Sequence, residues 1–347
     1  KTFGGSNELI IPRMTINGSM INTGTLTVST ALQGTGSLTN GASAVINISS
    51  TTVAISSLIA NTTANTVVYN RAGSQTIKAV KYSNLTLSGS GTKNLPTGTT
   101  SISGNLVLSG TVSSTAAAGI TFGGSITIGS GTTFSSGNYT HTVAGNLSNS
   151  GTFNNNAGTI NLAGNLTNSG TFNRNTGRVV FNGSTAQSIL GTNAITFYNL
   201  TLNNSNGLSL NNSTNTSVAA TLTLTSGILT TNANTLILSS TGSVARTSGY
   251  VAGNLQKNFA TGNSVTRTFE TEHQWVLACN HCNYKGYYAG NLIVKATAGD
   301  HPAIATSTLN PARSLNRYWT LTNSGIVTTA AGYSATFTFL PADVDAG

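Results

Sequence analysis

The chain has 347 residues, of which only 6% are charged, where an ordinary soluble domain carries about 25%. Its net charge is +9, yet the basic residues stand singly, as Lys78, Lys81, Lys93, Arg174, Arg178 and Arg246 do. That scatter excludes a basic nucleic-acid-binding helix or tract, and the composition excludes a coiled coil, a disordered acidic tail and a typical cytosolic enzyme.

The sequence opens on Lys1, without Met or a signal peptide, and reads as a piece of a longer product. Glu8, Leu9, Ile10 and Ile11 follow, a short stretch free of the features that repeat later. A strand here would either cover the start of the fold or add to a second copy, so these four residues are the candidate self-assembly contact. No apolar run is long enough to form a transmembrane helix.

Further along, the sequence repeats itself. Residues 144–162 and 163–181 agree at 12 of 19 positions without a gap. Leu85, Leu106, Ile126, Leu147 and Leu166 each open a short triplet, at intervals of 21, 20, 21 and 19 residues. A longer duplication overlies this beat: TVVYNRAGSQTI (66–77) echoes RVVFNGSTAQSI (178–189), and KYSNLTL (81–87) echoes TFYNLTL (196–202), which pairs Tyr82 with Tyr198. Triplets such as Leu85-Thr86-Leu87, Ile126-Thr127-Ile128 and Leu222-Thr223-Leu224 alternate with period two, the strand signature. Gly, Asn and Ser between them favour turns.

Short strands on this beat predict a parallel β-helix over residues 1–240, about 12 coils whose inward side chains stack as ladders, because one coil alone cannot bury its apolar face. The Asn-rich stretches (Asn146, Asn149, Asn154, Asn165, Asn168, Asn173) are expected at the corners, stacked in columns. A string of antiparallel sandwiches explains the 19-residue identity less well. The outward triplet centres Thr86, Val107, Thr127, Ser148 and Thr167 make a stripe one residue wide, too narrow and too broken for an ice-binding face.

The chemistry of this region is sparse. No Asp or Glu lies between Glu8 and Glu270, so the repeats hold neither the paired carboxylates of a glycosidase nor a carboxylate-bound Ca²⁺. His141 is the one His there, with no acid near it in sequence, and is expected to be exposed or in a turn.

Residues 241–347 differ. They hold five of the six acids, three of the four His, both Cys and both Trp. Segments 291–297, 314–322 and 334–340 alternate like strands and predict a second, β-sandwich-like domain, with Trp319 in its core. His273, Cys279, His281 and Cys282 are metal-ligand types, and zinc is the metal that a Cys-x-x-Cys half-site would take. A local disulfide and free thiols stay open beside it, whereas Asn283 after Cys282 excludes covalent haem attachment. No other cofactor is implied. Trp275, Tyr284, Tyr287 and Tyr288 crowd the same segment. They either pack in the domain or form an exposed surface for a sugar or a partner protein. Glu270 and Glu272 would share one face of an extended strand and are the sole candidates for carboxylate chemistry.

The block from Gly177 to Ser240, with GYVAGNLQKNF (249–259), TAGDHPAI (297–304), SLNRYWTLTNSG (314–325) and FTFLPADVDAG (337–347), resembles large secreted surface proteins of the Bacteroidetes type. The resemblance implies a β-helical stalk followed by a β-sandwich, export by the type IX pathway, a place at the surface or in the matrix of a Gram-negative-type bacterium, and no catalytic motif. Residues 270–288 depart from that pattern. The sequence thus reads as an extracellular structural protein: a filament or matrix subunit, or an adhesin stalk. Its expected partners are copies of itself or surface polysaccharide. The alternative is a carbohydrate-binding adhesin that uses residues 270–288.

Overall fold

The computed structural model describes residues 1–260, 265–272, 275–279, 290–325, 334–339 and 341–345. The chain is all-β and contains a parallel β-solenoid of about 13 turns. Two compact units divide it: Lys1–Gly183 with Ile189–Asn193, and Ser184–Ser188 with Ala194–Gly347.

In the first unit, one inward column runs Leu26, Ile46, Val67, Leu85, Leu106, Ile126, Leu147, Leu166. Each residue is in parallel register with the next, and all are buried. The beat read in the sequence is therefore the rung spacing of this column. Two residues on, a second column runs Val28, Ile48, Tyr69, Leu87, Leu108, Ile128 and then Asn149 and Asn168. Thr86, Val107, Thr127, Ser148 and Thr167 stand between the two columns, facing out. Alternation fixes which side chains enter the core, and stacking makes each burial count, about 1.5–3 kcal/mol per large aliphatic side chain.

A second face stacks Tyr82, Ile102, Phe122, Val143, Leu162 and Phe181. A third is made of the short strands Ser90–Thr92, Thr111–Thr115, Thr133–Ser135, Thr152–Asn154 and Thr171–Asn173. There Phe134, Phe153 and Phe172 pile up with ring centroids 6.2 and 5.3 Å apart.

One corner explains the recurring Gly-Asn/Ser pair. The side-chain oxygens of Asn84, Asn105, Ser125 and Asn146 accept the backbone N–H of Asn105, Ser125, Asn146 and Asn165 at 2.9, 2.8, 3.0 and 2.8 Å. Each rung thus satisfies a backbone donor of the next. The residue before each donating N–H is Gly because a Cβ would strike that same oxygen: at Gly145 it would sit 2.5 Å from Ser125 Oγ, and at Gly164 2.6 Å from Asn146 Oδ1.

Not every Asn obeys the corner expectation. Asn149 and Asn168 lie inside the coil, fully buried. Asn149 Nδ2 donates to Asn168 Oδ1 at 2.8 Å and to the Thr171 carbonyl at 2.9 Å. Asn154 and Asn173 form a separate outward ladder, with Asn173 Nδ2 donating to Asn154 Oδ1 at 2.8 Å. His141 is also corrected: it is wholly buried, because the alternation Thr140-His141-Thr142-Val143 points it inward beside Val143. Its Nδ1 accepts the Ile120 N–H at 3.1 Å, so Nε2 carries the proton and donates to the Ser136 carbonyl at 2.7 Å. Burial lowers its pKa.

The duplicated block also needs one change. Tyr82 is buried, and the residue buried at the matching place before Leu200 is Phe197; Tyr198 is half-buried. The Tyr82 hydroxyl donates to the Lys78 carbonyl at 2.6 Å and lies 3.0 Å from the Tyr69 hydroxyl. Burial pushes Tyr69 up to about 12 and Tyr82 well above its ordinary range. Lys93 is the buried cation of this unit. Its ammonium donates to the carbonyls of Arg71, Gly73 and Ser90 at 2.9, 3.0 and 2.6 Å, and burial lowers its pKa.

In the second unit, Ile195–Asn203, Thr216–Ser226, Ile228–Leu238, Ser243–Arg246 and Tyr250–Phe259 pair in parallel. Parallel pairing thus continues past residue 240, to Lys257. The inward column Phe197, Val218, Leu238 ends on Lys257. Lys257 Nζ meets Glu270 Oε2 at 2.7 Å, with both side chains buried. It also donates to the Thr268 carbonyl and lies 5.5 Å from the Phe269 ring centroid. Burial lowers the Lys257 pKa and raises that of Glu270, each against the pull of the other.

Beyond Phe259 the described strands turn antiparallel. Gly290–Ala298 pairs with Tyr250–Phe259, and Arg317–Ser324 pairs with Gly290–Ala298. Val265–Phe269, Trp275–Cys279 and Ser334–Phe337 form a separate three-stranded sheet. Trp319 and Phe337, one on each sheet, meet with ring centroids 5.1 Å apart. Trp319 is half-buried, so it is not the enclosed core residue that its sequence neighbours suggest.

Candidate functional site

Leu9–Thr15 is a strand whose only partner among the described residues is Thr25–Asn40, with Leu9, Ile10 and Ile11 opposite Leu26, Thr27 and Val28. Leu9 heads the column that Leu26 continues. It is nevertheless 42% exposed and Ile10 is 63% exposed, whereas Leu26 is fully buried. Glu8 Oε1 accepts from Thr27 Oγ1 and, at 3.4 Å, from Asn47 Nδ2, which ties the stretch to the two coils after it. Pro12 removes a backbone donor at the register shift between Ile11 and Arg13. The candidate contact residues of the sequence therefore lie together on one open strand edge.

Glu270 and Glu272 do not face one another. Glu270 is buried on Lys257. Glu272 is exposed and pairs with Arg317 Nη1 at 2.8 Å. Two residues apart, they point into different environments, unlike the same-face pair that an extended strand would make. Cys279 and Trp275 lie on the strand Trp275–Cys279, at opposite ends and paired with Val265 and Phe269. His273, His281, Cys282, Tyr284, Tyr287 and Tyr288 lie outside the described residues. Among the described residues, no group of three or more His, Cys, Asp or Glu is placed to hold a metal ion.

A cavity of about 590 Å³ lies elsewhere in the second unit. Residues 299–316 arch over it through two short 3-10 turns, Ile304–Thr306 and Pro311–Arg313. Carboxylates staple this arch at its base. Asp345 Oδ2 accepts from Ser314 N at 2.9 Å and Asp345 Oδ1 from Asn316 Nδ2 at 2.6 Å. Asp300 Oδ1 accepts from Ser314 Oγ at 2.9 Å, and Asp343 Oδ1 pairs with Arg317 at 3.2 Å. The ring of His301 stands edge-on to Tyr318, 5.0 Å between centroids. The walls are mainly apolar, from Ile304, Leu309, Leu315, Phe339 and Val344, and Arg313 adds a guanidinium.

Sequence reasoning missed this cavity because it joins residues 301–317 to residues 339–344, and no motif marks either end. The concentration of Asp in the tail was the one available signal, and those acids fasten the arch. No helix among the described residues is long and apolar enough to cross a membrane. No protein-family model, curated protein or solved structure matches the chain.

Proposed function

We propose that the protein is an extracellular structural element, a stiff solenoid that assembles with further copies of itself through the edge at Glu8–Ile11. The observation that carries the reading is the exposure of Leu9 and Ile10 on a strand with an unpaired edge among the described residues. Covering such a pair contributes about 1–2 kcal/mol per side chain, and an added strand satisfies the free backbone groups. Pro12 confines that strand to the three residues before it. The low density of charge, 6% of residues, also favours close association, since few like charges oppose neighbouring copies. The tail closes the solenoid as a small sandwich of its two sheets, a reading supported by the Trp319–Phe337 contact.

Electron microscopy and sedimentation velocity of the full chain test the assembly. Fibres or a concentration-dependent rise in sedimentation coefficient are expected, and both disappear in Ile10→Lys and on deletion of residues 1–12. Monomers at every concentration, or assembly unchanged in both variants, would overturn the proposal.

A further inference from the structure

We infer that the cavity beneath residues 299–316 is a binding site for a soluble amphiphile with an apolar body and one carboxylate. Its volume, about 590 Å³, falls within the range of small-molecule sites, roughly 300–1,000 Å³. Its rim leaves Leu309 66% and Phe339 49% exposed, large apolar surfaces that nothing described in the chain covers. Arg313 lines the same cavity. Its guanidinium has no ion pair among the described residues, while Arg317 beside it is held by Glu272 and Asp343.

These features select the ligand. Apolar walls favour a hydrocarbon body over a sugar, whose hydroxyls would go unpaired there. His301, Ser307, Ser314 and the ion-paired Arg317 also line the cavity, but Arg313 is the lining cation without an ion pair among the described residues; it favours a single anionic head, and a planar guanidinium matches a carboxylate in two parallel hydrogen bonds. The arch is already fastened by Asp300, Asp343 and Asp345 through Ser314, Asn316 and Arg317, so little of it must be ordered when a ligand enters. The site belongs to the second unit and the Glu8–Ile11 edge to the first, and its test does not depend on assembly.

Isothermal titration of the full chain with dodecanoate, below its micellar concentration, tests the assignment, with dodecanol and maltose as controls. Leu309 and Arg313 are both exposed, so neither substitution removes a core residue. One saturable site for dodecanoate is expected, abolished by Leu309→Asp and weakened about tenfold or more by Arg313→Gln, the loss of a charged hydrogen bond. Absence of saturable binding would overturn the inference. Equal affinity for dodecanol, an unchanged Kd in Arg313→Gln, or tighter binding of maltose would do the same.

Discussion

Replacing Lys257 and Glu270 together by Met and Leu should stabilise the second unit, although either replacement alone should damage it. At 2.7 Å the attraction is about 6 kcal/mol for an effective dielectric of about 20. Removing two charges from water costs several kcal/mol for each. The pKa directions decide which effect is larger. Burial raises the Glu270 carboxyl and lowers the Lys257 amine, even though each partner pulls the other way. A raised carboxyl contributes stability only below its unfolded pKa, about 4.3, and loses it as pH rises. A lowered amine contributes only above its unfolded pKa, about 10.4, and loses it as pH falls. At pH 7 both groups therefore stand on their costly side. Lys257→Met strands a carboxylate and Glu270→Leu strands an ammonium, each costing about 3–5 kcal/mol, whereas the double variant should equal the native protein or exceed it by about 1–4 kcal/mol. For a unit of this size, thermal unfolding followed by circular dichroism at pH 7 should show Tm losses of roughly 6–20 °C in the single variants. A double variant as unstable as the two singles combined would refute the reasoning, and so would two silent single variants.

In the phenylalanine column, Phe153→Ala should cost about 3–5 kcal/mol, and Phe172→Ala about half as much because Phe172 is half-buried; the reverse order in urea midpoints would contradict the stacking. His141 has a folded pKa lowered by burial, so its contribution is intact above about pH 6.5 and declines as pH falls below it. Melting curves between pH 7.5 and 5 should show that decline in the native protein and a shallower one in His141→Gln, and parallel curves would count against it. Tyr69, pushed up to about 12, stabilises the fold below pH 10 and loses that contribution as pH rises toward 12. Absorbance titration should show a late-ionising tyrosine class that Tyr69→Phe diminishes, and a single transition near pH 10 would rule this out.

The solenoid was legible because its cause is local and periodic. The triplets at Leu85, Leu106, Ile126, Leu147 and Leu166 stack in register, and the period alone reveals that. His141 and Lys257 also stood at inward positions, beside Val143 and between Leu255 and Phe259, but their polarity masked an alternation that decides orientation regardless of residue type. Composition alone points Asn149 and Asn168 to corners, whereas the position of Leu108 and Ile128 in the same column shows that they face inward. The end of the parallel region was harder to place. After Leu238 the rungs turn polar, as in Ser243–Arg246, and pairing persists where hydrophobic patterning fades. The tail's cavity was not legible at all, because it depends on contacts between distant segments that no spacing encodes.

The corner relay of Asn84, Asn105, Ser125 and Asn146 has a direction. Each side-chain oxygen receives a donor from the coil that follows it in sequence, so every rung presents a side-chain acceptor to its successor and a backbone N–H to its predecessor. Consecutive rungs are thus interchangeable parts with matching male and female joints. A tandem copy of one whole coil, such as residues 163–181 beside residues 144–162, slots in without altering either neighbour. Lineages of this protein are therefore free to differ in length by whole coils, and insertions or deletions should fall in multiples of one rung.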